Sequence, residues 1–206
     1  MARLLLTVLV VGLVVAAAEA QTLPVAPTPR EVVHYFPTQV GAKWVYLSGD
    51  EEVIEVATKA QPKDGTTVVS IELQARGAAL GTWQLAISAE GVDQLGVMQA
   101  VFDSPHCLLK VKARPGDRWE VREEKVFDFR ATYTARGEEV VEVPAGRFRV
   151  LKVEKTVVFE SGAARMSATY FAPGVGVVKE VVRQMSGEWT TTRELKSFTT
   201  GPDRAP

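Results

Sequence analysis

The stretch EVVEVPAGRFRVLKVEKTVVFE, residues 139–160, places two apolar runs on either side of Pro144-Ala145-Gly146. Proline cannot donate a hydrogen bond to a β-ladder, so the run that ends at Val143 stops pairing at Pro144. Proline also presets φ for a turn, and Gly146 can take the positive φ that closes it. The stretch therefore predicts a β-hairpin, and we interpret its turn as a structural bend rather than a catalytic loop.

The returning strand keeps its apolar residues on one face only after residue 150. Leu151, Val153, Val157 and Phe159 share a face of a strand, whereas Val150 falls on the other face. An extra residue at this point would explain the change and would bend the sheet. We therefore predict a β-bulge near Val150.

The same alternation of apolar and polar side chains recurs along the rest of the chain. It is clear in TTVVSIELQA (66–75) and VFDFRATYT (126–134), and glycine-bearing turns separate such runs at hairpin spacing. One dry face and one wetter face are typical of antiparallel sheets. The sequence predicts a mainly all-β protein, with a strongly curved antiparallel meander sheet or half-barrel of about ten to twelve strands.

Two further segments refine this prediction. In GVVKEVVRQM (176–185) the apolar residues recur with a spacing that fits a helix as well as a strand. Because valine predominates and hairpins surround the segment, we predict a strand. In APGVG (172–176) we predict a Pro-Gly turn, followed by a second glycine that permits close approach of another part of the chain.

The N-terminal residues have the pattern of a secretory signal. Residues 1–20 contain Arg3, then an apolar run, then Ala18-Glu19-Ala20 as a cleavage site. We expect the signal peptide to be removed and the mature protein to be exported, to the periplasm or fully secreted. We predict no transmembrane segment in the mature chain.

The remaining chain is expected to form one domain. Residues 21–29 are rich in proline and predict an extended leader, and residues 30–36 predict a short helix with Thr28 as its N-cap. We predict a single β domain over residues 30–198 and a disordered tail over residues 199–206.

The charge and cysteine content exclude several classes of protein. The formal net charge is −1, and lysine and arginine are interspersed with aspartate and glutamate. Nucleic acid is therefore an unlikely class of partner. The single cysteine, Cys107, allows no intrachain disulfide.

Catalytic and metal-binding chemistry finds little support. His106 and Cys107 are neighbours on a predicted strand and so point to opposite faces, which separates a base from its nucleophile. A hydrolase using His34, His106 or Cys107 is the least favoured alternative. Two histidines in the chain are too few for a closed zinc site, and no nucleotide motif occurs. We predict no catalytic residue, no metal site and no cofactor.

Aromatic residues are the candidates for ligand binding. All four tryptophans follow a turn glycine by two or three places, and three more rings lie on one face of a predicted strand. One interpretation is that the rings close the ends of the sheet, and the other is that they line a ligand-binding mouth. The candidate residues are Trp44, Trp83, Trp119, Phe127, Phe129, Tyr133 and Trp189.

Three motifs carry a resemblance to a known family. YFPTQVGAKWVY (35–46), VEVPAGRFRVLKVE (141–154) and TYFAPGVGVVKEV (169–181) resemble, in that order, motifs of a family of exported bacterial proteins and lipoproteins without an assigned function. The chain is more distantly similar to the DUF3108-type proteins and to the half-barrel lipoprotein carriers. The resemblance covers residues 35–198 and implies a strongly curved sheet with an apolar concave side.

These observations give a functional hypothesis. We expect an exported, non-enzymatic β-protein of the bacterial cell envelope that binds an apolar small molecule, a lipid, a lipidated polypeptide or an envelope protein on its concave face. The alternative is a structural or protein-interaction module whose core is filled by side chains.

Overall fold

The computed structural model describes residues 34–202. The predicted signal peptide and leader lie outside the described residues, and so do residues 30–33 of the predicted helix. Its last residues, 34–36, form a bend, so the prediction of a helix is wrong for them. Tyr35 and Phe36 are instead buried in the core, where their rings pack against other apolar side chains.

The described chain contains twelve strands and no helix, which confirms the prediction of an all-β protein. The strands are β1 (Lys43–Ser48), β2 (Glu51–Lys63), β3 (Thr66–Ala75), β4 (Ala78–Ile87), β5 (Gly91–Val97), β6 (Ala100–Lys110), β7 (Arg118–Glu123), β8 (Phe129–Val143), β9 (Gly146–Phe159), β10 (Ala164–Ala172), β11 (Gly176–Arg183) and β12 (Trp189–Thr199). No helix in residues 34–202 has the length and apolar character needed to cross a membrane.

All twelve strands belong to one antiparallel sheet in the order β6-β5-β4-β3-β2-β1-β12-β11-β10-β9-β8-β7. The pairing of β1 with β12 joins two meanders of six strands each, and it leaves β6 and β7 as the two edges. The sheet curves into a nearly closed barrel-like form, so that the two edge strands contact each other through side chains.

The segment that fitted both a helix and a strand is a strand, β11, as predicted. Its irregular apolar spacing comes from a bulge at Val178, where Phe171 of β10 pairs with Val177 and Tyr170 pairs with Lys179. Because the bulge adds one residue, Val177 and Glu180 both face the interior although they are three positions apart.

The hairpin of β8 and β9 turns at Pro144-Ala145, and Gly146 has a φ of 127°, as the sequence predicted. The amide of Ala145 donates to the carbonyl oxygen of Leu195 at 2.9 Å, so the turn docks on β12. This contact gives the turn a structural role.

The bulge predicted near Val150 lies elsewhere. Pairing is regular around Val150, and the register shifts between Ala135 and Gly137 in the partner strand β8. Val150 and Leu151 are both buried although they point to opposite faces of β9. The change in apolar spacing therefore reflects burial on both faces rather than an extra residue.

One end of the sheet, here the closed end, is sealed by the residues before β1. The amide of Gly174 donates to the carbonyl oxygen of His34 at 2.9 Å, and the Trp44 indole donates to that of Val175 at 2.6 Å. A Cβ at Gly176, whose φ is +95°, would lie 2.7 Å from the Phe36 ring. The close approach predicted at this glycine is confirmed, and its partner is an aromatic ring.

The C-terminal residues also reach the closed end. β12 runs to Thr199, and Gly201 is buried, with the carbonyl oxygen of Val40 only 2.2 Å from where a Cβ would be. The disordered tail stays a prediction for residues 203–206, which lie outside the described part of the chain.

Candidate functional site

The interior of the sheet contains two adjoining hollows. The deeper one, here the inner cavity, has a volume of about 230 Å³, and the wider one, here the mouth, has a volume of about 580 Å³. Lys155, Thr169, Glu180 and Arg193 line both of them, so these four side chains stand at the boundary. The mouth lies at the end of the sheet opposite the closed end.

Most of the lining is apolar. The inner cavity has nine apolar or aromatic residues in its wall: Phe36, Ile71, Trp83, Leu85, Leu108, Tyr133, Val153, Phe171 and Val177. The mouth has seven: Val53, Phe127, Phe129, Val157, Phe159, Val181 and Val182. Two of these rings are solvent-exposed, Phe127 by 52% and Phe159 by 38%. An apolar wall that remains in contact with solvent is typical of a binding surface.

A buried ion cluster stands beside the inner cavity. Arg193 donates from Nη1 to Glu55 Oε1 at 2.5 Å and from Nε to Glu180 Oε2 at 2.7 Å. Its guanidinium carbon lies 4.6 Å from the centroid of the Tyr46 ring. One side chain of β12 therefore joins the neighbouring strand β11 to β2, which is distant in sequence.

The electrostatics of this cluster follow from burial and charge. Burial acts to lower the pKa of Arg193, but the charges of Glu180 and Glu55 more than offset it, so that this pKa is raised well above its usual value. Burial, together with the charge of Glu55, raises the pKa of Tyr46 well above 10. The Tyr46 hydroxyl donates to the carbonyl oxygen of Val177 at 2.9 Å. Arg193 therefore stays cationic, and its charge already faces the carboxylates of Glu55 and Glu180.

Lys155 presents a different environment. Its Nζ lies 5.5 Å from the centroid of the Phe129 ring and 5.4 Å from that of the Tyr133 ring. Within residues 34–202 no carboxylate oxygen lies within 4.0 Å of this ammonium group. Burial lowers the pKa of Lys155, and the charge of Arg165 acts in the same direction, while Glu180 opposes them. Lys155 is thus an interior cation without an ion-pair partner among the described residues.

The two edge strands meet along a contact that we call the seam, formed by His106 and Cys107 of β6 and Trp119 and Glu123 of β7. His106 Nε2 lies 3.0 Å from Glu123 Oε2, and both side chains are buried. The Trp119 indole donates to the carbonyl oxygen of Cys107 at 2.8 Å. Side-chain hydrogen bonds therefore hold the edges where the β-ladder ends.

Both carboxylate oxygens of Glu123 have hydrogen-bond partners. Its Oε1 accepts hydrogen bonds from the amides of Lys125 at 3.0 Å and Val126 at 2.9 Å. The His106 ring stacks on Phe102 with centroids 3.8 Å apart. These contacts describe a structural histidine, fixed by a carboxylate and an aromatic ring.

The seam predicts a pH dependence of stability. Burial lowers the pKa of His106 below 6.5, although the hydrogen bond and charge of Glu123 oppose the shift. His106 therefore binds a proton more tightly in the unfolded chain than in the folded protein. For this reason the free energy of unfolding falls as the pH drops below about 6.5. We expect His106 to contribute a loss of at most about 1.4 kcal/mol between pH 7.5 and pH 5.5.

Urea unfolding of the wild-type protein and the His106→Gln variant at both pH values measures this contribution. Glutamine can still donate to Glu123 but does not titrate, so the variant should lose less stability on acidification. An equal loss in the two proteins would contradict the assignment.

The seven ligand candidates fall into three groups. Trp83 and Tyr133 line the inner cavity, and Phe127 and Phe129 line the mouth. Trp44 is fully buried at the closed end, Trp119 stacks on Tyr133 at the seam, and Trp189 is 40% exposed. The structure therefore brings four of the candidates to the two hollows, and the other three lie elsewhere.

The residues weighed for hydrolysis are not arranged for it. His106 is bound to Glu123, whereas Cys107 pairs in register with Asp93. Burial and the nearby Asp93 raise the pKa of Cys107 to about 11, which disfavours the reactive thiolate. His34 is exposed and lies before β1. Within the described residues, no group of three or more His, Cys, Asp or Glu side chains could hold a metal ion.

Sequence reasoning missed the charged residues of the interior. Lys155 occupies an inward position between Val153 and Val157, so the apolar alternation of β9 skips one residue there. Glu55 lies between Val53 and Ala57 in the same way. A charged residue in an otherwise apolar face of a strand was the signal that could have identified these two positions. The pairing of Glu55 with Arg193 depends on the fold of the sheet and has no signal in the local sequence.

Comparison with known proteins places the fold. No family model and no curated protein matches the chain, so the similarity to DUF3108-type proteins stays a prediction. A presumed exported protein with a YmcC-like fold from Bacteroides fragilis NCTC 9343 matches with a TM-score of 0.55 and 14% identity, covering 82% of this chain and 100% of that one. A presumed lipoprotein from Parabacteroides distasonis ATCC 8503 matches with a TM-score of 0.55 and 12% identity, covering 81% and 99%. At these identities the likeness concerns the fold alone, and this chain is similar in fold to a protein with a YmcC-like fold.

Proposed function

We propose that this protein is an exported, non-enzymatic binding protein of the cell envelope that holds an apolar ligand inside its sheet. The observation that carries the proposal is the pair of adjoining hollows with largely apolar walls. The mouth, at about 580 Å³, falls within the range of about 300–1,000 Å³ typical of ligand pockets. The inner cavity alone is smaller than that range.

The shape of the interior favours binding over a purely structural role. A module with a filled core would pack side chains across the sheet at the density of a protein interior. Here the closed end is packed in that way, since the Phe36 ring lies against the rings of both Trp44 and Phe171. The opposite end leaves space next to exposed phenylalanines, which is costly in water unless an apolar ligand covers them.

Export is supported by two independent features. The first twenty residues have the pattern of a secretory signal. The two proteins of similar fold are described as a presumed exported protein and a presumed lipoprotein. An envelope protein with an apolar hollow is suited to hold a lipid or another apolar molecule away from water.

Blocking the mouth tests the proposal. Val157 lines the mouth, and Val158, the next residue, points to the other face of β9 and is 44% exposed. We expect Val157→Trp to weaken binding of the uncharged fluorophore N-phenyl-1-naphthylamine by about tenfold or more, because the indole occupies the ligand's space. The Val158→Trp variant is the matched control and should bind like the wild-type protein.

A fluorescence titration of the three proteins gives the result. Thermal unfolding of each establishes that both variants are folded. Equal binding by the two variants, or no binding by the wild-type protein, would contradict the location or the existence of the site.

A further inference from the structure

Lys155 stands at the boundary between the mouth and the inner cavity. In the register of the sheet it pairs with Tyr133 of β8 on one side and with Ser167 of β10 on the other. It lines the inner cavity and the mouth, and apolar wall lies on both sides of it. Its ammonium group faces two aromatic rings and, among the described residues, makes no ion pair.

A second cation lies beside it. Arg165 lines the mouth and pairs with Val157, so it is the diagonal neighbour of Lys155 on the adjoining strand. Diagonal neighbours on one face of an antiparallel pair are about 7–8 Å apart. Within residues 34–202 Arg165 also has no carboxylate oxygen within 4.0 Å. One anionic group can therefore lie within reach of both cations.

The other charged groups at this boundary are already matched. Glu180 accepts from Arg193 Nε at 2.7 Å and lies 3.5 Å from the Thr169 hydroxyl, which can donate to it. Glu55 is bound to the other side of Arg193. Lys155, Arg165, Arg193 and Glu180 line the mouth, and Glu55 is bound to Arg193 beside it, so three cationic and two acidic side chains leave a formal excess of one positive charge.

A half-buried cation without an ion-pair partner, such as Lys155, is costly in the free protein. Taking an ammonium group out of water is unfavourable unless an opposite charge or hydrogen bonds compensate for it. The aromatic rings of Phe129 and Tyr133 compensate in part through cation–π attraction. A bound anion would complete the compensation, and its attraction is stronger in this partly dry site than at the surface.

We propose that the ligand is a single-chain amphiphile with an anionic group, a carboxylate or a phosphate, which Lys155 and Arg165 hold while the chain lies against the apolar wall. This inference rests on the proposed function and names the chemical class of its ligand. The Ser167 hydroxyl, directly opposite Lys155 in the register, can donate to the same anionic group.

Competition among four amphiphiles with one chain length tests the inference. The assay measures displacement of N-phenyl-1-naphthylamine from the wild-type protein by each competitor, kept below the concentration at which it aggregates. The competitors are dodecanoate, dodecyl phosphate, dodecanol and dodecyltrimethylammonium. We expect at least one of the two anions to bind about tenfold or more tightly than the alcohol, because a charge-assisted hydrogen bond from Lys155 to the anionic group adds affinity of that size. The cation should bind most weakly. The anion that binds more tightly identifies the headgroup.

Substitutions at Lys155 assign the preference to this residue. Lys155→Met keeps the length of the side chain and should remove the preference, so that the anions bind no more tightly than dodecanol. Lys155→Arg should retain the preference. Lys152→Met is the matched control, because Lys152 lines neither hollow and its Nζ lies 5.5 Å from the centroid of the Tyr170 ring.

The outcomes separate the two proposals. Equal affinities for the anions and the alcohol in the wild-type protein would overturn the anionic class and leave the apolar site standing. An unchanged preference in Lys155→Met would overturn the proposal that Lys155 holds the anionic group. Failure of the wild-type protein to bind the fluorophore or any of the amphiphiles would overturn both.

Discussion

Replacing Arg193 by methionine is expected to lower the free energy of unfolding by about 3–5 kcal/mol, the usual cost of breaking a buried ion pair from one side. Arg193 is 13% exposed in its side chain and forms ion pairs with Glu55, which is 7% exposed, and with Glu180. Methionine fills a similar volume, so the loss comes from two carboxylates left without their cation. Urea unfolding measures the change.

Two further variants identify the cause. Arg149 contacts Glu138 at 3.6 Å with 77% of its side chain exposed, so Arg149→Met should change stability by less than about 1 kcal/mol. The triple variant Glu55→Gln, Glu180→Gln and Arg193→Met removes the charges together and should regain most of the loss. A small effect of Arg193→Met alone would show that the cluster does not hold these three strands together.

Replacing Trp44 by alanine is also expected to have a large effect, lowering the free energy of unfolding by about 3–5 kcal/mol. The Trp44 side chain is fully buried, its ring centroid lies 6.4 Å from that of Phe36 and 5.7 Å from that of Phe198, and its indole binds the carbonyl oxygen of Val175. Alanine leaves a cavity and an unsatisfied carbonyl oxygen at the closed end.

The matched control for this substitution is another tryptophan. Trp189 is 40% exposed, and its contact with Lys152 is a cation–π pair at 5.9 Å. Trp189→Ala should cost less than about 1 kcal/mol. Similar losses at the two positions, measured by urea unfolding, would contradict the distinction between a ring that seals the closed end and a ring near the surface.

The fold could be predicted from the sequence because its signals are local. The alternation in β3 and β8 and the turn at Pro144-Ala145 each depend on a few adjacent residues. The bulge predicted near Val150 was wrong because burial on both faces of a strand produces the same pattern as an added residue.

The candidate site was less accessible to sequence reasoning. The aromatic face of a predicted strand identified Phe127 and Phe129, which line the mouth, whereas the position of the tryptophans after turn glycines selected Trp44, which seals the closed end. The sequence pattern does not show which end is sealed, because that depends on residues 34–36 packing against Gly174 and Gly176, about 140 residues later in the chain. The ion cluster depends on pairing across 138 residues, from Glu55 to Arg193, and no local pattern encodes such a separation.

Native mass spectrometry of the protein purified from its own envelope is the most direct test of the binding role. The account predicts that the wild-type protein carries a non-covalent apolar adduct and that the Val157→Trp variant, prepared in the same way, does not. An unliganded mass for both proteins, or the same adduct on both, would contradict the claim that the hollow within the sheet is a binding site.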